Sequence, residues 1–105
     1  MKTIILEVCQ KELTLFPREV VEDFLDIVSR LNEGLTLNMP LSRAMPSIGR
    51  NVHELRLKDK SGIYRVFYFI KKKEAIYIVH AFKKKTQKTP KKSIELVKKR
   101  IRRLL

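Results

Sequence analysis

The chain has 105 residues, 44% of them hydrophobic, which suffices for one modest core and one domain spanning 1–105. Its single cysteine, Cys9, excludes an internal disulfide and a Cys-rich zinc site, and a small buried hydrophobe is its expected role. Lys and Arg number 24 against 11 Asp and Glu, a net charge of +13, which points to a polyanionic partner.

No apolar stretch approaches the roughly 18 residues that span a bilayer. Met1-Lys2 leads only into a short apolar run broken by Glu7, so no signal peptide is read and a reducing cytoplasm is the expected location. The charge is lopsided. Residues 1–52 carry six bases and seven acids, a net of −1, whereas residues 53–105 carry 18 bases and four acids, a net of +14.

In chain order, Thr3 to Val8 is β-branched and apolar and predicts a strand. Pro17 suits the first position of a helix. Val20, Val21, Phe24, Leu25, Ile27, Val28 and Leu31 follow at helical spacing, and Gly34 is a natural C-cap, predicting a helix over 17–33. Pro40, Pro46 and Gly49 then punctuate a loop, packed by Leu37, Met39, Leu41 and Met45, with one short helical turn over 41–45.

Val52 to Lys58 alternates, with Glu54 and Arg56 on one side and His53, Leu55 and Leu57 on the other. Ile63 to Ile70 and Ala75 to Phe82 complete an antiparallel meander with turns at 59–62 and 71–74. Thr89-Pro90 reads as N-cap and first helical residue, and Ile94, Val97, Ile101 and Leu104 carry a last helix over 90–104. The fold class is α+β: an antiparallel sheet of the N-terminal strand and the meander, the N-terminal helices packed on it, and a C-terminal helix.

Three segments carry a resemblance. His53-Glu54-Leu55-Arg56, then Gly62-Ile63-Tyr64-Arg65-Val66-Phe67-Tyr68, then His80-Ala81-Phe82-Lys83-Lys84-Lys85-Thr86-Gln87-Lys88-Thr89-Pro90 resemble the signature of the phage-derived Gp49-like, or HigB-like, toxins of the RelE/ParE superfamily. The element order fits over about the whole chain. The resemblance implies a RelE-like fold and a ribosome-dependent mRNA endonuclease. It also implies partnership with a helix-turn-helix, HigA-like antitoxin, DNA being met only through that complex. Neither a cofactor nor a metal is implied.

The resemblance further implies a site of cations on the sheet rather than a histidine pair. RNA cleaves itself when a 2′-hydroxyl attacks the adjacent phosphate. Catalysis needs that proton removed, the phosphorane charge neutralised and the leaving 5′-oxygen protonated. Arg65 is expected to grip the scissile phosphate with its planar fork, with Arg56 one strand away. Lys84 and Lys85 stand where the superfamily places a second cation, and strand alternation leaves open which of them faces the site. Lys88 matches the lysine before the final helix.

Histidine as a residue type titrates near neutral pH, but His53 and His80 sit between apolar residues, where packing is the expected role. Tyr64 and Tyr68 share the strand face opposite Arg65 and belong to the core. The basic residues of the last helix, Lys91, Lys92, Lys98, Lys99, Arg100, Arg102 and Arg103, are expected to steer RNA rather than lie on a membrane. The alternatives are a ParE-like gyrase poison and a non-catalytic nucleic-acid-binding or prophage protein.

Overall fold

The computed structural model describes residues 2–34, 41–72, 74–85 and 88–105. Its elements are β1 (Lys2–Ile5), α1 (Glu7–Leu13), α2 (Arg18–Asn32), β2 (Ser42–Ala44), β3 (Val52–Asp59), β4 (Gly62–Lys71), β5 (Ala75–Lys83) and α3 (Lys91–Arg102). The five strands form one sheet in the order β1-β5-β4-β3-β2. The meander β3-β4-β5 and the β2–β3 pair are antiparallel, but β1 lies parallel to β5. The sheet is therefore mixed at one edge, a refinement of the expected antiparallel arrangement. The crossover from β1 to β5 passes through most of the chain, so no local pattern marks its direction.

The α+β architecture agrees with the sequence reading, and three boundaries differ. The first strand stops at Ile5. Leu6 makes a last sheet bond from its N–H to Ile78, after which its carbonyl accepts the N–H groups of Cys9 and Gln10. This starts α1, a helix the sequence reading missed. Cys9 and Leu13, four residues apart, are its buried stripe. Burial, reinforced by the negative charge of Glu12, pushes the Cys9 thiol up to about 12, which makes it a packing group and not a nucleophile.

The second difference is β2. Residues 42–44 form a strand where a helical turn was expected, pairing with His53 to Leu55 and covering that part of the β3 edge. The Ser42 hydroxyl hydrogen-bonds the Tyr68 hydroxyl at 2.8 Å inside the core. Third, Pro17 and Pro90 each occupy the N-cap rather than the first helical position. The expected packing of Leu37 and Met39 lies outside the described residues.

The sheet has a differently covered face on each side. On one face, Leu55, Leu57, Tyr64, Val66, Tyr68, Ile76 and Ile78 pack under α1 and α2, which contribute Cys9, Leu13, Val20, Phe24, Ile27 and Leu31. Val20, Phe24, Ile27 and Leu31 repeat at intervals of four, three and four, the stripe that makes 18–32 helical. Glu33 and then Gly34, with φ of +83°, close the helix as expected of a glycine C-cap. On the other face α3 lays Val97 and Ile101 over Phe67, Phe69 and Val79. The register slips between Phe67 and Tyr68, which pair with His80 and Ile78. Val79 is the extra residue of this bulge. α3 covers only part of its face, and the bare remainder holds the charged cluster.

Candidate active site

Strand alternation sends Glu54 and Arg56 of β3 and Arg65 of β4 to the face away from α1 and α2. Arg56 and Arg65 are direct cross-strand partners. Glu54 lies two residues along from Arg56, within diagonal reach of Arg65. The Arg65 Nη1 donates to Glu54 Oε1 at 2.7 Å and to Thr89 Oγ1 at 3.1 Å. Thr89 in turn donates to Glu54 Oε2 at 3.0 Å. Arg43 of β2 reaches the same carboxylate at 3.5 Å. Four segments thus meet at one carboxylate.

Arg65 is 2% exposed and Glu54 is 3% exposed. The sequence reading expected Arg65 to grip the scissile phosphate with its planar fork. Arg65 does turn away from the Tyr64 and Tyr68 core, but Glu54 and Thr89 enclose its head. The physical reason is the cost of desolvation: a buried guanidinium needs a counterion, and Glu54 is within reach. The Arg65 Nε is buried with no hydrogen-bond partner among the described residues.

The remaining expected residues are placed as follows. Arg56 is exposed beside this pair. Lys84 is half-buried just past the end of β5, and its N–H donates to the Ile63 carbonyl at 2.7 Å. Partial burial and the charges of Arg65, Arg56 and Arg43 lower the Lys84 pKa, opposed by Glu54. The Lys84 charge therefore senses the cluster. Lys85 is exposed one residue further on, and Lys88 is exposed beside Thr89 in the bend before α3.

Both histidines lie outside the cluster. His53 is on the helix-covered side and stacks on Tyr68, ring centroids 5.0 Å apart, and burial lowers its pKa. His80 Nδ1 pairs with Glu12 of α1 at 2.9 Å, and its ring stacks on Phe82. Arg100 of α3 grips both oxygens of Glu12 at 2.8 and 3.1 Å and donates to the Val79 carbonyl at 2.8 Å. Glu12 also accepts the Ala81 N–H. These side chains satisfy β5 backbone beyond the end of β1 and tie α1 to α3. Among the described residues no group of His, Cys, Asp and Glu is arranged for a metal ion.

Burial alone would raise the Glu12 pKa, but its bonds to His80 and Arg100 outweigh burial and hold it at about 2. A carboxylate held below its ordinary value stabilises the fold above pH 4.5, and the contribution is lost as pH falls towards 2. After discounting for partial solvent screening it is on the order of 2 kcal/mol. Glu12→Gln should therefore be less stable than wild type at pH 6 and nearly equal to it at pH 2. Urea melts at the two pH values measure this, and an equal gap at both would assign the loss to shape rather than charge.

Sequence reasoning missed Glu54, Thr89 and Arg43. Glu54 was placed on the correct face, yet its partner follows only from strand register. Thr89 was expected to cap α3, but its hydroxyl joins the ion pair instead.

The family described as phage-derived protein Gp49-like (DUF891) matches residues 4–102. A search of curated proteins found no match. Among solved structures, an arginine-substituted mutant of the E. coli toxin RelE in the free state is similar, with a TM-score of 0.63 at 18% identity. The match covers 99% of this chain and 97% of that one. At this identity the likeness speaks for a shared fold.

Proposed function

The chain belongs to the phage-derived Gp49-like family, and from that premise we propose that it is a RelE-type toxin that cleaves mRNA on the translating ribosome. The observation that carries the reading is the gathering of Arg56, Arg65 and Lys84 with Glu54 on the part of the sheet face that α3 leaves bare. The family resemblance adds a helix-turn-helix, HigA-like antitoxin as partner and a cytoplasmic setting.

The chemistry divides among these groups. Arg56 and Lys84 meet the scissile phosphate and neutralise charge on the phosphorane. Arg65 stands behind them as a fixed positive charge, held in place by Glu54 and Thr89. A lysine with a lowered pKa is a stronger acid, so Lys84 protonates the leaving 5′-oxygen. Glu54 supplies the carboxylate that accepts the 2′-hydroxyl proton once the phosphate draws the half-exposed Arg43 away from it. Lys85 and Lys88 extend the cationic track for the RNA backbone.

Binding should be strongly salt-dependent, because each phosphate contact releases counterions. About five contacts give a log–log slope of about −3.5 to −4.5. A titration of single-stranded RNA from low to moderate salt measures it, and a slope near zero would remove the basic face from the binding site.

One observation favours a second reading. The head of Arg65 is enclosed by protein, an arrangement that also suits a ParE-like gyrase poison with no nuclease chemistry. Inhibition of purified gyrase in a supercoiling assay, with no RNA cut on ribosomes, would select it.

A further inference from the structure

Between α2 and the end of β3 lies a hollow of about 590 Å³, within the range of small-molecule sites. Ile27, Leu41, Leu57 and Ile63 form its apolar part. Asp23, Asp26 and Arg30 of α2 stand on one side of it, and Arg56 and Lys58 of β3 on the other. Asp23 and Asp26 are three residues apart, which puts them on one helix face. All five charged residues are exposed, and among the described residues no ion pair uses any of them. Opposite charges thus face one hollow without neutralising one another, so a ligand displaces no internal partner. The sheet edge is also open here. β2 pairs with β3 only as far as Leu55, and the Arg56 N–H then donates to the Leu41 carbonyl at 2.8 Å. By alternation the Lys58 N–H and C=O point to the same edge, past the end of β2.

We propose that this hollow binds a short free peptide with aliphatic side chains, a zwitterion of about three residues. Its ammonium end sits at Asp23 and Asp26 and its carboxylate at Arg56 and Lys58. Its side chains lie on the four aliphatic residues, and its backbone runs along the Lys58 edge. Charge complementarity and the open edge select this occupant. A single amino acid holds its two charges too close together to meet both sides, whereas three extended residues reach about 10 Å. A nucleotide finds no aromatic ring among the lining residues to stack on, and its phosphate meets two carboxylates. A metal ion finds no group of three ligating side chains among the described residues. Arg56 borders both this hollow and the Glu54 cluster, but peptide binding needs no RNA and stands independently of the nuclease reading.

The test titrates the full nitrogen-15-labelled chain with the tripeptide Leu-Ala-Leu and follows the amide shifts by NMR. Shifts confined to residues around the hollow should saturate, with a Kd of about 1 mM or below. The same peptide acetylated at its N-terminus and amidated at its C-terminus has lost both charges and should bind at least tenfold more weakly, as should tri-glycine. Asp23→Asn with Asp26→Asn should weaken the free peptide at least fivefold and erase its advantage over a peptide acetylated at the N-terminus alone. Glu19→Gln with Glu22→Gln makes the same charge change on α2 outside the hollow and should alter binding less than twofold. Equal binding of the doubly capped peptide would overturn the proposal in favour of an internal segment of a protein. Equal binding of tri-glycine, or equal weakening by the two pairs of substitutions, would reduce the effect to bulk charge and overturn it too. Guanosine monophosphate shifting the same amides while the tripeptide does not would overturn it in favour of a nucleotide. The absence of any shift around the hollow at about 10 mM tripeptide, tenfold above the expected Kd, would remove the site.

Discussion

Replacing Glu54 by alanine should cost the fold about 3–5 kcal/mol, because it strands the Arg65 guanidinium in a buried place without its counterion. Arg65 already has one buried nitrogen without a partner, so little spare hydrogen bonding remains to absorb the loss. For a domain of this size the expected drop in Tm is roughly 15 °C. The double variant Glu54→Leu with Arg65→Met should recover most of that stability, since removing both charges removes the desolvation cost as well as the attraction. Thermal and urea unfolding of the two variants measure the difference. A loss under about 1 kcal/mol in Glu54→Ala would show that water reaches the pair.

The second large effect is catalytic. Lys84→Ala should lower RNA cleavage on translating ribosomes about 100-fold, the usual result of removing one group that stabilises transition-state charge. Stability should change by no more than about 0.5 kcal/mol, as for a partly exposed surface side chain. Lys84→Arg separates the two roles assigned to this lysine. Arginine keeps the charge but does not give up its proton in this range, so phosphate binding and its salt dependence should survive while the cleavage rate stays low. A fully active Lys84→Arg protein would assign Lys84 to charge alone and place the proton donor elsewhere.

Both effects depend on contacts of different legibility. The stripe of Val20, Phe24, Ile27 and Leu31 and the alternation of β3 and β4 are local periodicities, and they located α2, the meander and the side of the sheet that Arg65 faces. The match of residues 53–56, 62–68 and 80–90 to a known signature supplied the fold and the family. What a local pattern does not hold is pairing across distance. The parallel direction of β1, the β2 strand that covers β3, and the bulge at Val79 are each set by a partner far along the chain.

The same limit applies at the site. Alternation put Glu54, Arg56 and Arg65 on one face, but enclosure of Arg65 depends on the β3–β4 register and on Thr89 arriving from the loop before α3. An exposed arginine and a buried one share the same alternation. Likewise His80 reads as a titratable group in a strand, and its role follows only from Glu12, 68 residues away. A carboxylate among clustered cations was the one available sign of Glu54.

The central claim is that this chain cuts RNA with the cations around Glu54. Mapping of mRNA 5′ ends in cells tests it most directly, comparing the wild-type chain with a variant carrying Arg56→Ala and Lys84→Ala. New 5′ ends within translated messages are expected with the wild type and are expected to vanish with the variant, which should stay folded and no longer stop growth. Growth arrest by the wild type without any new 5′ ends, or the same cuts persisting in the variant, would contradict the account.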